Sequence, residues 1–409
     1  MSGSVTSPWE INLRHLNAVR AIAATGSLGR AAGAVFLSQP AVTQALAKLE
    51  RLLGTRLCER GGAGGVTMTA AGALLVARAD RAAAHLAEGA RRLKGAGARG
   101  ALPIERLVSM VHLRALIAVV GHGTFAVAAR ETGLSQPSLH RAARDLERLA
   151  GAALLVRRGR TVQPTPGAER FVRHARLAVA EIAAGLDELA ALKGQGGGRI
   201  AIGAMPLARA RLVPEAVTRL AAERPDMRFE IVEGPYANLL GRLRDGALDL
   251  LIGALREPAP APDVTERALF TDTAIIVARA GHPLAGAARP TLADLAHYPW
   301  VMARAGTPLR HNWEALFTAC GATPPPVVVE CGSVVAISGM LLAGDWLTLL
   351  SPEQVRRSLN AGSLVPIGPP VSAARRAIGI TVRTDWLPSA AQARFLAILA
   401  GVACETSGK

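Results

Sequence analysis

Two segments of the chain carry the same pattern of apolar and polar positions. In the later segment, Ser135 is suited to cap a helix, and a proline follows in the first turn. Leu139, Ala143 and Leu146 then recur at helical spacing, which predicts a helix with one buried and one polar face. The earlier segment begins at Ser38, and its matched positions precede those of the later one by 97 residues. The tripeptide Ser-Gln-Pro, found at Ser135 and at Ser38, would be weak evidence if it stood alone. The repetition of the whole series of matched residues indicates a duplicated structural unit.

Each copy is predicted to be a winged helix-turn-helix. An amphipathic helix and a short alanine-rich helix precede the capped helix, and two short wing strands and a long helix follow it. The predicted boundaries are a disordered tail over 1–11, a first winged helix-turn-helix over 12–72, a helix and flexible linker over 73–106, and a second winged helix-turn-helix over 107–167.

The linker contains a G-x-G-x-x-G pattern at Gly95–Gly100. As a dinucleotide-binding motif, that pattern requires a strand before it and a helix after it. Here a predicted helix precedes it and Leu102-Pro103 follow. The context favours a flexible connection, and we predict no cofactor.

A long helix over 168–195 has an apolar seam. Its seam residues are Phe171, Ala175, Ala178, Ile182, Leu186 and Leu189. This spacing favours packing against another helix. We expect pairing between two chains as a dimerisation helix, because no compact partner was identified before it; the alternative is packing on its own domain.

Beyond the Gly-rich stretch Gln195–Gly198, the pattern changes to alternating strands and helices. This alternation is typical of an α/β domain with a largely parallel sheet, or two such sheets. The predicted domain covers 196–405, with a first lobe over 198–273 and 370–405 and a second lobe over 274–369. The predicted fold is thus multidomain: two tandem all-α winged helix-turn-helix domains followed by an α/β, two-lobed domain.

Charge is distributed unevenly along the chain. The net charge is +16, with 27 basic against 13 acidic residues over 1–199 (+14) and 20 against 18 over 200–409 (+2). A basic front half favours a module that binds a polyanion, here double-stranded DNA. The four cysteines have neither metal-ligand nor disulfide spacing. No signal-peptide core or membrane-spanning apolar run is present, so we expect a cytoplasmic protein without a metal site.

The polar faces of the two capped helices are the predicted DNA-reading surfaces. The candidate base contacts are Gln136, His140 and Arg141 in the second copy and Gln39, Thr43 and Gln44 in the first. The candidate phosphate contacts are Arg157, Arg158 and Arg160, with Arg56 and Arg60 as weaker ones. The first copy is either a true second reader or a folded copy that no longer binds, and the sequence leaves both open.

These motifs together resemble the LysR-type transcriptional regulators. The residues that carry the resemblance are His112-Leu113, Gly123-Thr124-Phe125, Ala128-Ala129, Leu134–Ser138, Leu146-Glu147, Gly151, Leu154, Thr165–Gly167, Gly198–Gly203, Pro214, Arg224-Pro225, Glu233-Gly234, Leu243–Asp249 and Gly253. The resemblance implies a winged helix-turn-helix, a dimerising linker helix and a sensor of periplasmic-binding-protein fold with small effectors between its lobes. Members of this family normally have one DNA-binding head, that is, one winged helix-turn-helix. The first copy in this chain, over 12–72, therefore departs from the usual arrangement of the family.

Strand-to-helix turns are the predicted effector contacts, because helix starts at the edge of a sheet expose backbone N–H groups. The candidates are Ala204, Met205, Pro206 and Leu207 in one turn, Ser333 and Val334 in another, and Arg304 and Asp345 beside them. Ordinary turns of an α/β lobe are the alternative for each residue.

The sequence therefore predicts a homo-oligomeric, ligand-responsive transcription factor that affects RNA polymerase access. The similarity is greatest to branches that control sugar or aromatic-acid catabolism. Two alternatives are an enzyme that uses the back half and a scaffold whose heads contact protein. No catalytic histidine arrangement or Gly-x-Ser-x-Gly motif is present, which counts against an enzyme.

Overall fold

The computed structural model describes residues 6–61, 65–94, 104–196 and 198–407. The chain divides into two compact units, and each is described by itself. The first consists of Met1–Arg199 with two short segments, Asp226–Arg228 and Asp245–Ala247, and the second contains the remainder.

The first unit contains two winged helix-turn-helix heads, as predicted. The first head consists of α1 (Leu13–Thr25), α2 (Leu28–Ala34), α3 (Gln39–Leu53), β1 (Cys58–Arg60), β2 (Val66–Met68) and α4 (Ala70–Lys94). After α5 (Ile104–Leu107), the second head consists of α6 (Met110–His122), α7 (Phe125–Thr132), α8 (Gln136–Ala150), β3 (Leu155–Arg158), β4 (Thr161–Pro164) and α9 (Pro166–Leu192).

Local hydrogen bonds repeat between the heads. Ser38 and Ser135 cap α3 and α8, and both helices end at a glycine in the left-handed region. The carboxylate of Glu50 accepts from the Leu57 amide at 2.7 Å, and that of Glu147 from the Leu154 amide at 2.9 Å. Each glutamate thus fixes the start of a wing to its reading helix.

Each head also has its own small core built from equivalent residues. These are Ala18, Ile22, Ala31, Val42 and Ala45 in the first head, and Ala115, Val119, Ala128, Leu139 and Ala142 in the second. The alanines allow three short helices to cross closely. The duplicated sequence therefore produces a duplicated fold.

The prediction of a disordered tail over 1–11 is wrong where the structure describes it. Pro8–Glu10 forms a 3-10 helix with Ser7 as its cap. Trp9 packs on the large core of the unit, Ile11 is buried, and the Arg114 guanidinium lies 5.7 Å from the centre of the Trp9 ring. Burial of these two side chains orders a segment too short to show periodicity. Residues 1–5 and Gly95–Gly100, the predicted flexible linker, lie outside the described residues.

The long helices α4 and α9 pair within one chain. A Cβ placed on Gly89 would lie 2.8 Å from the Cβ of His174, and one placed on Gly185 would lie 3.1 Å from the Cβ of Arg78. The two contacts show that the helices run antiparallel and cross at small residues. The predicted seam of α9 is buried in the same core as Leu75 and Leu86 of α4. The seam that the sequence analysis assigned to pairing with a second chain is covered in this chain by α4, a partner that the sequence analysis did not identify.

The second unit is α/β, and its first sheet has the order β6-β5-β7-β14-β8. The strands and helices around it are β5 (Arg199–Ala204), α10 (Pro206–Ala210), α11 (Leu212–Glu223), β6 (Arg228–Val232), α12 (Tyr236–Arg244), β7 (Leu250–Ala254), β8 (Val264–Thr273), β14 (Arg375–Arg383) and α17 (Ala390–Ser407). Strand β5 is parallel to β7, whereas β14 is antiparallel to both β7 and β8.

The second lobe contains two smaller sheets. Its elements are β9 (Ile275–Arg279), α13 (Leu292–Ala296), β10 (Trp300–Met302), α14 (Pro308–Thr318), β11 (Val327–Glu330), α15 (Val334–Ala343), β12 (Thr348–Leu350), α16 (Pro352–Asn360) and β13 (Leu364–Pro366). The sheet β12-β9-β13 is antiparallel, so the expectation of largely parallel sheets is wrong here. Strand direction depends on the path of the connections, which hydrophobic periodicity does not encode. The chain crosses between lobes at Ala274 and near Val371, whose amide donates to the Ala274 carbonyl at 3.0 Å.

Candidate nucleic-acid interface and effector site

The reading helix α8 presents a polar face to solvent. Gln136 and Arg141 are exposed, and the capped start of the helix places Gln136 in its first turn. The His140 ring is half-buried and stacks on Phe125 with ring centres 3.7 Å apart and planes inclined by 18°. Gln136 and Arg141 are therefore free to reach a groove, while His140 is held beside them by its ring contact.

The wing of the second head adds positive charge beside α8. Arg157, Arg158 and Arg160 are all exposed on the β3–β4 hairpin. The Val162 amide donates to the Gly123 carbonyl at 2.6 Å, which fixes the hairpin to the end of α6. An anchored hairpin can hold guanidinium groups against phosphates at little further entropic cost.

The first head has the same face with weaker charge. Gln39, Thr43 and Gln44 are exposed on α3, and the Thr43 hydroxyl donates to the Gln39 carbonyl at 3.0 Å. Arg56 is exposed, whereas the predicted contact Arg60 has a side chain outside the described part of the structure.

One feature beside α3 escaped sequence reasoning. Phe36 is 85% exposed and has a φ of 55°, in the left-handed region. The second head has Gly133 at the equivalent position, with a φ of 68°. An exposed aromatic ring in a glycine conformation marks this turn as distinct from its counterpart. In the sequence, the sign of this difference is that phenylalanine stands in the first copy where the second copy has glycine.

A buried ionic network crosses the α4–α9 pair. Arg78, with a side chain 4% exposed, donates to Glu181 at 2.8 Å and Glu188 at 2.6 Å. Arg81 pairs with Glu181 at 2.8 Å from the other side. Burial alone would raise the pKa of Glu181, but the hydrogen bonds from Arg81 and Arg78 outweigh it and lower that pKa. The carboxylate is therefore kept charged inside the pair.

At the other end of the same pair, two histidines face each other. The His85 and His174 ring centres are 6.1 Å apart. Burial, followed by Arg92 and His85, lowers the pKa of His174 to about 4; Glu88 and Arg173 are also near. Among the described residues, no group hydrogen-bonds to the buried His174 Nδ1. A neutral histidine is thus enclosed where protonation is unfavourable.

This arrangement predicts an acid-sensitive α4–α9 pair. The folded pKa of His174 is about 4, below its ordinary value of 6.5, so the unfolded chain binds the proton more readily between these values. Stability is therefore expected to be fully present above pH 6.5 and to decrease by about 1–3 kcal/mol as the pH falls to 4. Amide hydrogen exchange in α4 and α9 measures it across that range. His174→Leu should flatten this dependence, and the exposed His122→Leu should not; equal slopes for both variants would contradict the assignment.

The predicted effector residues differ in how deeply they are buried and in which groups they contact. Ala204 and Leu207 are buried, Pro206 is half-buried, and the Met205 amide donates to the Ile252 carbonyl at 2.9 Å. In the second lobe, Ser333 caps α15 and is exposed, while Val334 packs against a buried cluster. Arg304 is exposed, and the carboxylate of Asp345 accepts from Arg279 at 2.9 Å. The two sets lie on different lobes, and each remains a prediction as an effector contact.

The carboxyl edge of the first sheet carries three polar groups, of which the sequence analysis did not select Tyr236 and Arg256. Arg209 follows β5, Tyr236 follows β6 and Arg256 follows β7. The Arg256 guanidinium lies 4.1 Å from the centre of the Tyr236 ring. Among the described residues, the Arg209 Nε, the Tyr236 hydroxyl and the Arg256 Nε are buried without a hydrogen-bond partner of good geometry. A second nitrogen of the Arg209 guanidinium forms an ion pair with the exposed carboxylate of Glu233. Burial raises the pKa of Tyr236 and lowers that of Arg209. The feature of the sequence that could have indicated this site is that each of the three residues lies shortly after a predicted strand.

Charged residues also fix the two lobes to each other away from that edge. The Arg211 guanidinium donates to Glu353 at 2.7 Å, and the buried Asp272 accepts from the Ser351 hydroxyl at 2.6 Å. Arg211, Glu353 and Asp272 line a cavity of about 380 Å³. Because Arg211 pairs with Glu353 and Asp272 with Arg376, this cavity is a weaker effector site than the sheet edge.

The described residues contain neither a membrane-spanning helix nor a metal-binding cluster. No helix there has the length and apolar character to cross a membrane. Within the same ranges, no cluster of three His, Cys, Asp or Glu residues is arranged to bind a metal ion.

Comparisons with known proteins agree with this architecture. Residues 193–403 match the LysR substrate binding domain, and 13–73 and 110–169 each match the bacterial regulatory helix-turn-helix protein, lysR family. The HTH-type transcriptional regulator GalR of Pseudomonas putida is 33% identical over 396 residues, 96% of this chain and 98% of that protein. That alignment is long enough to include both heads.

Further relatives lack part of this chain. An SDS degradation transcriptional activation protein from a Pseudomonas species is 32% identical over 66% of this chain and 89% of that protein. The crystal structure of ArgP from Mycobacterium tuberculosis has a TM-score of 0.56 at 18% identity, over 71% of this chain and 96% of that one, which shows the fold alone. The named relatives are transcriptional regulators, not enzymes, in agreement with the sequence prediction. The chain belongs to the LysR family of transcriptional regulators, with an effector-binding domain preceded by two helix-turn-helix regions.

Proposed function

We propose that this protein binds specific DNA sequences through α3, α8 and their wings and alters RNA polymerase access in the cytoplasm when a small catabolic metabolite binds its α/β domain. The observation that carries the proposal is the exposed face of α8 beside the arginine-bearing wing. Base-edge donors and acceptors on one helix and guanidinium groups on a fixed hairpin suit a duplex groove and its phosphates. A relative named for activation of SDS degradation supports a catabolic role.

Selection from a pool of random duplexes tests the DNA-binding part. The full chain should enrich one sequence family, and binding of that family should outlast a large excess of non-specific duplex. Recovery of no sequence family would favour the alternative in which the heads contact protein.

For the effector, we propose an anionic metabolite held at the carboxyl edge of the first sheet, by the Arg209, Tyr236 and Arg256 cluster. Buried polar atoms without partners cost free energy, so a ligand that pairs with them gains affinity. Guanidinium groups favour carboxylates, which makes an aromatic or sugar acid a better candidate than a neutral sugar.

Arg256→Met tests this site. A thermal-shift panel of small acids and sugars should identify an acid that raises the melting temperature of the full chain. The variant should bind that acid about 10- to 100-fold more weakly, because one charge-assisted hydrogen bond is lost. Arg267→Met, which removes an exposed arginine of β8, is the matched control. Stabilisation by a neutral sugar that is unaffected by Arg256→Met would contradict the proposal.

For assembly, we infer a homo-oligomer joined through the α/β domains. The linker-helix seam is already covered, but α15 exposes Val335 (84%) and Leu342 (54%), two helical turns apart, and β11 exposes Val328 (59%). Large exposed apolar side chains on this domain favour contact with a second copy of the same surface. Sedimentation velocity of the full chain at several concentrations measures the assembly, and a monomer throughout would contradict it.

A further inference from the structure

The pairing of α4 with α9 joins the two heads of one chain, and it affects how many chains bind one operator. We propose that a single chain spans both halves of an operator, with α8 in one half-site and α3 in the other, because α4 and α9 form inside the chain the pair that would otherwise join two chains. The inference rests on the proposed DNA binding and adds to it the number of chains per operator and the asymmetry of the sequence that is read.

The α4–α9 pair is nearly two-fold symmetric. Beyond the wings, equivalent positions differ by 96 residues because the second wing is one residue shorter. Gly89 and Gly185 are equivalent, as are Arg78 and His174. The contact of Gly89 with His174 is therefore the symmetry counterpart of the contact of Gly185 with Arg78. Two-fold related helices relate the two heads they carry in the same way, which is the arrangement that suits a two-half operator.

The α4–α9 pair buries the apolar seam of both helices. The buried seam residues are Leu75, Ala79, Ala82, Leu86 and Ala90 of α4, and their counterparts Phe171, Ala175, Ala178, Ile182 and Leu186 of α9. Both seams belong to a single core cluster that also contains Leu49 and Leu146 of the two reading helices. A second chain would have to displace α4 to reach the seam of α9.

The buried charges favour the pairing of α4 with α9 over the pairing of two α4 helices or of two α9 helices. Arg78, Arg81, Glu181 and Glu188 form their network at one end only. In the repeat, Glu181 and Glu188 correspond to His85 and Arg92, and Arg81 corresponds to Leu177. At the positions of this network, two α4 helices would bring only Arg78, Arg81, His85 and Arg92 together. Two α9 helices would place His174 and Leu177 opposite Glu181 and Glu188, where Arg78 and Arg81 now lie. Such unpaired buried charges act against both like pairings.

The polar faces of the two reading helices, α3 and α8, differ in sequence. Gln39 and Gln136 are equivalent and identical, but Thr43 corresponds to His140 and Gln44 to Arg141. Arginine favours guanine and glutamine favours adenine in the major groove. One chain with one copy of each face therefore reads two unlike half-sites.

Half-site substitutions test the proposal. Against the selected operator and its base-substituted versions, Arg141→Ala should relax base preference in one half only, and Gln44→Ala in the other half only. Replacement of either half-site by unrelated sequence should weaken binding on the order of 100-fold, because the heads are tethered. Relaxation of both halves by Arg141→Ala, with no effect of Gln44→Ala, would show α8 in both halves and overturn the inference. Failure to select any operator would instead overturn the proposed function.

Crosslinking tests the pairing without relying on DNA. Gly89→Cys with His174→Cys, in a chain whose exposed Cys320 and Cys404 are replaced by serine, should form a disulfide within one chain. On a denaturing, non-reducing gel, the product oxidised at any concentration over a 100-fold range should run as a single chain, and the undenatured product should still bind the selected operator. A covalent dimer that increases with concentration would overturn the inference. Loss of DNA binding on oxidation, restored by reduction, would do so as well, because it would mean that the heads must separate.

Discussion

Replacing Arg78 with methionine is expected to destabilise the α4–α9 pair by about 3–5 kcal/mol. The arginine side chain is 4% exposed and pairs with Glu181, which is 8% exposed, and with Glu188, which is 17% exposed. Its removal leaves two carboxylates short of a partner inside the pair, and that uncompensated charge accounts for the large effect. Hydrogen exchange of α4 and α9 in the full chain measures the local opening, because a chain of several domains has no single unfolding free energy.

Two further variants make this prediction specific. Arg91→Met removes an arginine of α4 whose side chain is 76% exposed in its pair with Glu88, and it should cost well under about 1 kcal/mol. Arg78→Met combined with Glu181→Met should recover much of the lost protection, since a buried ion pair is often replaceable by apolar residues. Unchanged exchange in Arg78→Met alone would show that the network does not hold the pair together.

Replacing Arg157, Arg158 and Arg160 together with alanine is expected to weaken operator binding on the order of 100-fold near 0.1 M salt. All three side chains are exposed on the anchored β3–β4 hairpin. Each phosphate contact that is lost no longer releases a counterion, so the slope of log affinity against log salt should fall by about 3. Titrations by fluorescence anisotropy at several salt concentrations measure both quantities.

The control for the wing removes equal charge elsewhere. Arg224, Arg228 and Arg267 are exposed residues of the α/β domain, and their replacement by alanine should change the salt slope little. Non-specific duplex should be affected by the wing variant as much as the operator is, because phosphate contacts position the protein without reading sequence. An equal loss of slope in both triple variants would assign the effect to overall charge.

Sequence reasoning predicted the heads well because their determinants are local. Ser38 and Ser135 cap the reading helices, and residues 97 apart occupy equivalent places in the two cores. Helix capping and helical periodicity depend only on residues that are close together in the sequence. The same reasoning missed the ordering of Trp9 and Ile11, whose burial depends on residues distant in the chain.

The effector site was less accessible to prediction. The turn after β5 was identified, but Tyr236 and Arg256 lie beside each other only because β6, β5 and β7 are neighbours in the sheet. Their sequence separation gives no indication of that contact. Strand order and direction are set by the connections and by packing, and both lie outside the reach of local periodicity.

By itself, the sequence determined that the chain has two heads with polar reading faces, a basic front half and an α/β rear domain. The tertiary structure alone decided which helix covers the seam of α9. Periodicity states that a helix has an apolar face but not which surface buries it, and α4 of the same chain does so. Arg78 and Glu181, 103 residues apart, likewise become partners only when the two helices lie antiparallel.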